Sequence, residues 1–112
     1  MHAQVADAYA GVGMNDEAAR EYKKALELCP TFIDIRAKLA STLRDLGDKE
    51  GAIREYQAVK QQAPKFLPAR VHLGVTLYSL GRKDEAKAEW EAVLAEDPAN
   101  KSCRMYLDIL KG

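Results

Sequence analysis

The sequence predicts an all-α fold in which one helical hairpin is written three times and followed by a solitary helix. Three observations carry this. Pro30, Pro64 and Pro98 recur at an interval of 34 residues, and Gly13, Gly47 and Gly81 keep the same interval. So do two columns of opposite size, the small Ala18, Ala52 and Ala86 and the aromatic Tyr22, Tyr56 and Trp90. Apolar residues between these marks recur at helical spacing, and no segment alternates as a strand would.

Each element follows from its marks. The first helix of each hairpin covers about 2–12, 33–46 and 67–80. Its apolar pattern ends at Val12, Leu46 or Leu80 and is followed by the glycine, which closes the last turn with a positive φ. Acidic residues come next: Asp16 and Glu17, Asp48 and Glu50, Asp84 and Glu85. They suit the positive end of a second helix, over 15–28, 49–62 and 83–96. There the alanine is small because two helices approach closely, and the aromatic lies four residues on, along the same face. Proline ends the second helix. The last segment, about 101–111, places Leu107 and Leu110 at core spacing and reads as a cap on the third hairpin. The expected repeats are about 1–32, 33–66 and 67–100, forming one domain over 1–112.

Composition narrows the function. Of 112 residues, 47 % are apolar and 30 % charged, a globular balance. Seventeen basic residues meet seventeen acidic ones, so the chain lacks the basic excess of a nucleic-acid binder. It equally lacks a charge-based attraction to anionic membranes. No apolar run approaches the roughly 18 residues of a membrane span. The opening MHAQVADAYAGVG has no Lys or Arg and carries Asp7 where a signal peptide needs an apolar core. No compartment follows from this.

These columns resemble the tetratricopeptide repeat (TPR) family, whose unit is 34 residues. The residues that carry the resemblance are Val5, Ala6 and Tyr9, Leu39, Ala40 and Leu43, and Leu73, Gly74 and Leu77 on the first helices. On the second helices they are Ala18, Tyr22, Ala25 and Pro30, Ala52, Tyr56, Val59 and Pro64, and Ala86, Trp90, Val93 and Pro98. The family's frequent Trp near the start of the first helix is replaced by His2, Arg36 and Arg70. The resemblance implies a right-handed superhelical solenoid of three hairpins plus a C-terminal capping helix, with the first helices lining a concave face. It also implies that the chain can be a segment of a longer protein.

Chemistry is sparse. His72 has no Cys, Asp or Glu three or four residues away, so the simplest helical metal spacing is missing. Glu17/Glu21 and Glu85/Glu89 read as helix-dipole neighbours and solvent-facing charge rather than catalytic dyads. Cys29 and Cys103 lie two repeats apart and read as free thiols. The expectation is no enzyme, no cofactor and no metal.

The resemblance places ligand contacts on the first helices. The candidate groove residues are Asp7, Lys38, Ser41, Arg44, Val71, His72, Val75, Tyr78 and Tyr106. Relatives that hold the C-terminal carboxylate of heat-shock chaperones use Lys and Asn, then Asn, then Lys and Arg. The matching positions here are Ala3 and Asp7, Lys38, and Pro68 and His72, so that clamp is not expected. The expected function is a non-catalytic scaffold binding a peptide or helix of a partner protein. In this reading Tyr78 anchors the ligand, while Lys38 and Arg44 meet its acids. The alternative is an assembly module, self-associating through the uncapped N-terminal face or stacking on further repeats.

Overall fold

The computed structural model describes the backbone of residues 2–111 and the side chains of residues 4–111, so the expected groove position at Ala3 lies outside the described side chains. Seven helices follow one another: α1 (His2–Gly11), α2 (Asn15–Leu28), α3 (Ile33–Asp45), α4 (Lys49–Gln62), α5 (Leu67–Ser79), α6 (Lys83–Glu96) and α7 (Lys101–Lys111). No strand occurs among the described residues. Each helix packs chiefly on the ones before and after it, which draws the chain out to 42 × 25 × 20 Å.

The glycine column works as its chemistry requires. Gly13, Gly47 and Gly81 have φ of 79°, 88° and 80°. That conformation lets two amides turn back onto the helix just ended. Gly13 N–H donates to Ala10 O at 3.1 Å and Met14 N–H to Tyr9 O at 2.8 Å. The same pair of bonds recurs at Gly47 and Asp48, and at Gly81 and Arg82. In the second turn Asp48 also accepts from Gly51 N–H at 3.0 Å and caps α4.

Ala18, Ala52 and Ala86 are all completely buried where the two helices of a hairpin meet. Opposite them the first helices carry equally small residues, Ala6, Ala40 and Gly74. The third is glycine for a reason: a Cβ there would fall 2.3 Å from Nε1 of Trp90. Trp90 stands where the other repeats have tyrosine, and the larger ring takes the space of the missing methyl.

A fifth column has a role that its spacing alone did not reveal. Arg36, Arg70 and Arg104 each reach back six residues to the carbonyl of Pro30, Pro64 and Pro98, at 3.2, 3.1 and 2.7 Å. Each guanidinium thereby ties the start of a first helix to the turn entering it. Arg36 also pairs with Glu55 of α4 at 2.8 Å. Glu89, expected to face solvent, is instead half-buried and bonded to Lys60 at 2.6 Å, with Arg70 3.9 Å away. Removing a carboxylate from water is tolerable only with such partners.

The ends of the stack differ. Val5 is 44 % exposed, whereas Leu39 and Leu73, its counterparts in the next repeats, are 3 % and 1 % exposed beneath the preceding hairpin. At the other end Asn100 caps α7 by accepting from Cys103 N–H at 3.0 Å, and Leu107 and Leu110 pack against the core. Cys103 is fully buried and Cys29 partly so, both as free thiols. No described helix is long and apolar enough to cross a membrane.

Candidate functional site

The first helices α1, α3, α5 and α7 supply one connected depression. Its first part runs along α3 and has a volume of about 480 Å³, with Asp7 and Tyr22 on one side and Pro68 and His72 on the other. A second part of about 550 Å³ continues from Phe66, Pro68 and His72 to Asn100, Ser102 and Tyr106. Tyr106 then leads into a narrower pocket of about 160 Å³ formed by Val75, Tyr78, Trp90, Tyr106 and Ile109.

The aromatic column of the second helices reaches through the wall of this groove. Tyr22 donates its hydroxyl to Asp7 at 2.5 Å. Tyr56 and Ser41 share a hydroxyl–hydroxyl bond of 2.7 Å. Trp90 donates Nε1–H to the Val71 carbonyl at 3.2 Å. In each case a large apolar side chain fills the hairpin while its polar tip is satisfied at the groove floor.

Electrostatically the groove differs from expectation. Lys38 does not stand free for a ligand, since its ammonium bonds both carboxylate oxygens of Asp7, at 3.2 and 3.1 Å. The Tyr22 hydrogen bond, helped by Lys38, holds the Asp7 carboxyl below the usual range. Burial and the Asp7 carboxylate push the Tyr22 hydroxyl well up. His72 stacks on Tyr56 with ring centres 6.1 Å apart. Burial, and then the nearby Arg44 guanidinium, push its pKa down, so it is neutral at pH 7. Tyr56 is raised by burial against the opposing Ser41 bond.

Asp7, Lys38, Ser41 and His72 therefore do share one surface, with Arg44 beside it. Val71 does not belong to the exposed set. Its side chain is buried, and what it contributes is the carbonyl that accepts from Trp90. Val75 is half-buried at the mouth of the narrow pocket, and Tyr78 is 37 % exposed. Tyr78 and Tyr106 both lie on Trp90, with centroids at 6.2 and 4.9 Å. Trp90 is the residue that sequence reasoning left out of the site. Its signal was the joint departure of Gly74 and Trp90 from the Ala/Tyr pairing of repeats one and two. Met105 and Ile109 are exposed, at 53 % and 56 %. Among the described residues no group of three or more His, Cys, Asp or Glu side chains could hold a metal ion.

Comparison with known proteins gives a consistent answer. Tetratricopeptide repeat families match residues 43–107, 21–54 and 1–32. Among solved structures, the first TPR of Spaghetti (RPAP3), bound to the HSP90 peptide SRMEEVD, superposes with a TM-score of 0.91 at 22 % identity, over 98 % of this chain and 87 % of that one. The Arabidopsis OM64 TPR domain gives 0.90 at 20 % identity, over 98 % and 91 %. The second TPR domain of human RPAP3, in complex with the HSP70 peptide SGPTIEEVD, gives 0.90 at 20 % identity, over 99 % and 92 %. No curated protein sequence matches the chain.

Proposed function

Because this chain belongs to the tetratricopeptide repeat family, we propose that it is a non-catalytic scaffold holding a peptide or helix of a partner protein along its concave face. The whole chain would act as one domain of three repeats closed by α7. The observation that carries this reading is the aromatic pocket opening on the same face as the polar groove, because large apolar surface left beside satisfied polar groups is how protein-binding surfaces are built. The acidic peptides SRMEEVD and SGPTIEEVD are ligands of the RPAP3 domains. Here Asp7 already occupies Lys38, and Pro68 and His72 stand where a carboxylate clamp needs cations, so chaperone tails are not the expected ligand.

The test is a random-peptide selection against the folded chain, with the bound surface mapped by amide NMR. Shifts should concentrate on α3, α5 and α7, and Tyr78→Ala should weaken binding at least about tenfold, as loss of a central aromatic anchor does. Shifts on α2, α4 and α6, with binding lost when Arg20 or Arg54 is changed, would place the site on the convex side and refute the proposal.

A second reading, assembly through the N-terminal face, is favoured by the uncovered Val5. The C-terminal face does not invite it. Asp108 and Lys111 stand where earlier repeats have Gly74 and Leu77, so a following hairpin would meet charge instead of small and apolar residues. Light scattering over a concentration series separates the two readings: a monomer throughout supports the scaffold, and mass growth abolished by Val5→Glu supports assembly.

A further inference from the structure

We propose that the pocket walled by Trp90 takes one apolar side chain of the partner, and that the groove leading to it favours basic over acidic residues beside that anchor. This rests on the concave-face reading above and adds the chemistry of the ligand to it.

The pocket argument starts from size. A recess of about 160 Å³ is walled by Val75 and Tyr78 of α5, Trp90 of α6, and Tyr106 and Ile109 of α7. A cavity of about 150 Å³ with apolar walls stays dry and accepts a benzene-sized guest. One leucine, isoleucine, methionine or phenylalanine side chain matches that volume. The walls offer such a guest no polar group. Trp90 Nε1–H is already spent on Val71 O at 3.2 Å. A polar side chain entering would lose its hydrogen bonds to water and gain none. In the third repeat Gly74 lets an indole stand where the other repeats hold a phenol.

The charge argument starts from which groups are already engaged. Lys38 is held by Asp7. Asp34 and Asp45 line the same 480 Å³ space, and neither has an ion-pair or hydrogen-bond partner among the described residues. Arg44, near His72 and Tyr56, is a cation with no ion-pair or hydrogen-bond partner among the described residues. The adjoining space adds one charge of each sign, Lys65 and Asp97. Lys83 sits over the Tyr78 ring at 5.9 Å, engaged with its π face. The carboxylates of Asp34, Asp45 and Asp97 thus stand against the cations of Arg44 and Lys65 along the path to the pocket. A lysine or arginine on the ligand finds more partners there than an acidic residue does. Such complementarity sets specificity and association rate more than affinity.

The experiment selects a random dodecamer phage library on the full chain. The leading peptide is then synthesised with lysine or arginine positions intact, and again with glutamate at each of them. Trp90 is the sole tryptophan, so its emission reports entry into the pocket. Enriched sequences should share one Leu, Ile, Met or Phe position and carry more basic than acidic neighbours. The glutamate version should bind at least about tenfold more weakly, an Asp34→Asn/Asp45→Asn chain should narrow that gap, and Ile109→Glu should abolish the emission change. Ile109 is exposed, so that variant leaves the core alone. The heptapeptide SRMEEVD serves as the acidic probe and should bind more weakly than the selected peptide. Enrichment of acidic peptides, or tighter binding of SRMEEVD, overturns the charge preference. Peptides that perturb α3 and α5 but ignore Ile109→Glu overturn the pocket and leave the concave-face reading standing. Peptides bound on α2 and α4, or a selection that enriches nothing, sink both.

Discussion

The pairing of Gly74 with Trp90 makes the sharpest demand on this structure. In Gly74→Ala the new methyl would lie 2.3 Å from Nε1 and 2.8 Å from both Cδ1 and Cε2 of the indole. The ring must move, because the methyl is rooted in a helix whose other side is packed. Forcing one extra carbon into a filled site costs about 1–3 kcal/mol. A displaced indole also forfeits its bond to Val71 O, worth about 1 kcal/mol. Against this, alanine is favoured over glycine inside a helix by about 1 kcal/mol. The net expectation is destabilisation by about 1–3 kcal/mol, or roughly 4 °C in Tm for each kcal/mol in a chain of this size. The strong form of the argument is a double-mutant cycle. Trp90→Tyr restores the Ala/Tyr pairing that repeats one and two already use at Ala6/Tyr22 and Ala40/Tyr56. Gly74→Ala should therefore be harmful alone and near neutral, or favourable, in the Trp90→Tyr background, with a coupling of at least about 1 kcal/mol. Urea denaturation followed by circular dichroism measures all four corners without relying on the tryptophan. A Gly74→Ala chain as stable as the parent, with Trp90 emission unchanged, would refute the packing account.

Further outcomes are expected elsewhere in the molecule. Ala52 is completely buried between α3 and α4, so Ala52→Leu should cost about 1–3 kcal/mol; an unmoved Tm would contradict the close approach of that hairpin. His72 has a folded-state pKa below its ordinary 6.5, so the unfolded chain takes up the proton first as pH falls. Its contribution is therefore present above about pH 6.5 and declines below it, and the urea midpoint should drop between pH 7.5 and 5.5 less in His72→Phe than in the parent. The bonded Asp7 carboxyl acts in the same direction at lower pH, since its pKa is depressed: its contribution holds above about pH 4 and fades below, and Tyr22→Phe should blunt that loss. Amide exchange should be faster in α1 than in α5, because Val5 lacks the neighbour that covers Leu73; equal protection would argue against end-fraying of the stack.

What could be read in the sequence, and what could not, divides along a physical line. The glycine, alanine and proline columns each answer a constraint set within a few residues. A positive φ, a close helix contact and a missing N–H are local requirements, so the seven helices stand within a residue or two of their expected limits. The arginine column was visible as a spacing. Its purpose was not, because a guanidinium reaching back to a proline carbonyl leaves no mark on composition.

The groove depends on contacts between repeats, and there the sequence is nearly silent. Lys38 and Asp7 are 31 residues apart and meet only because the curvature of the stack brings α1 and α3 together. Lys38 read as a free cation until its partner was in view, and the sense of the groove's charge turned on that one bond. Val71 sits at a groove-facing register yet is buried, with its carbonyl taken by the Trp90 indole. The Gly74/Trp90 exchange reads, repeat by repeat, as two mild departures. Packing couples them. The third repeat is therefore where this chain departs furthest from its own pattern, and the departure borders an apolar pocket on the concave face. Periodicity shows how the scaffold is made. The break in it shows where a ligand has something specific to hold.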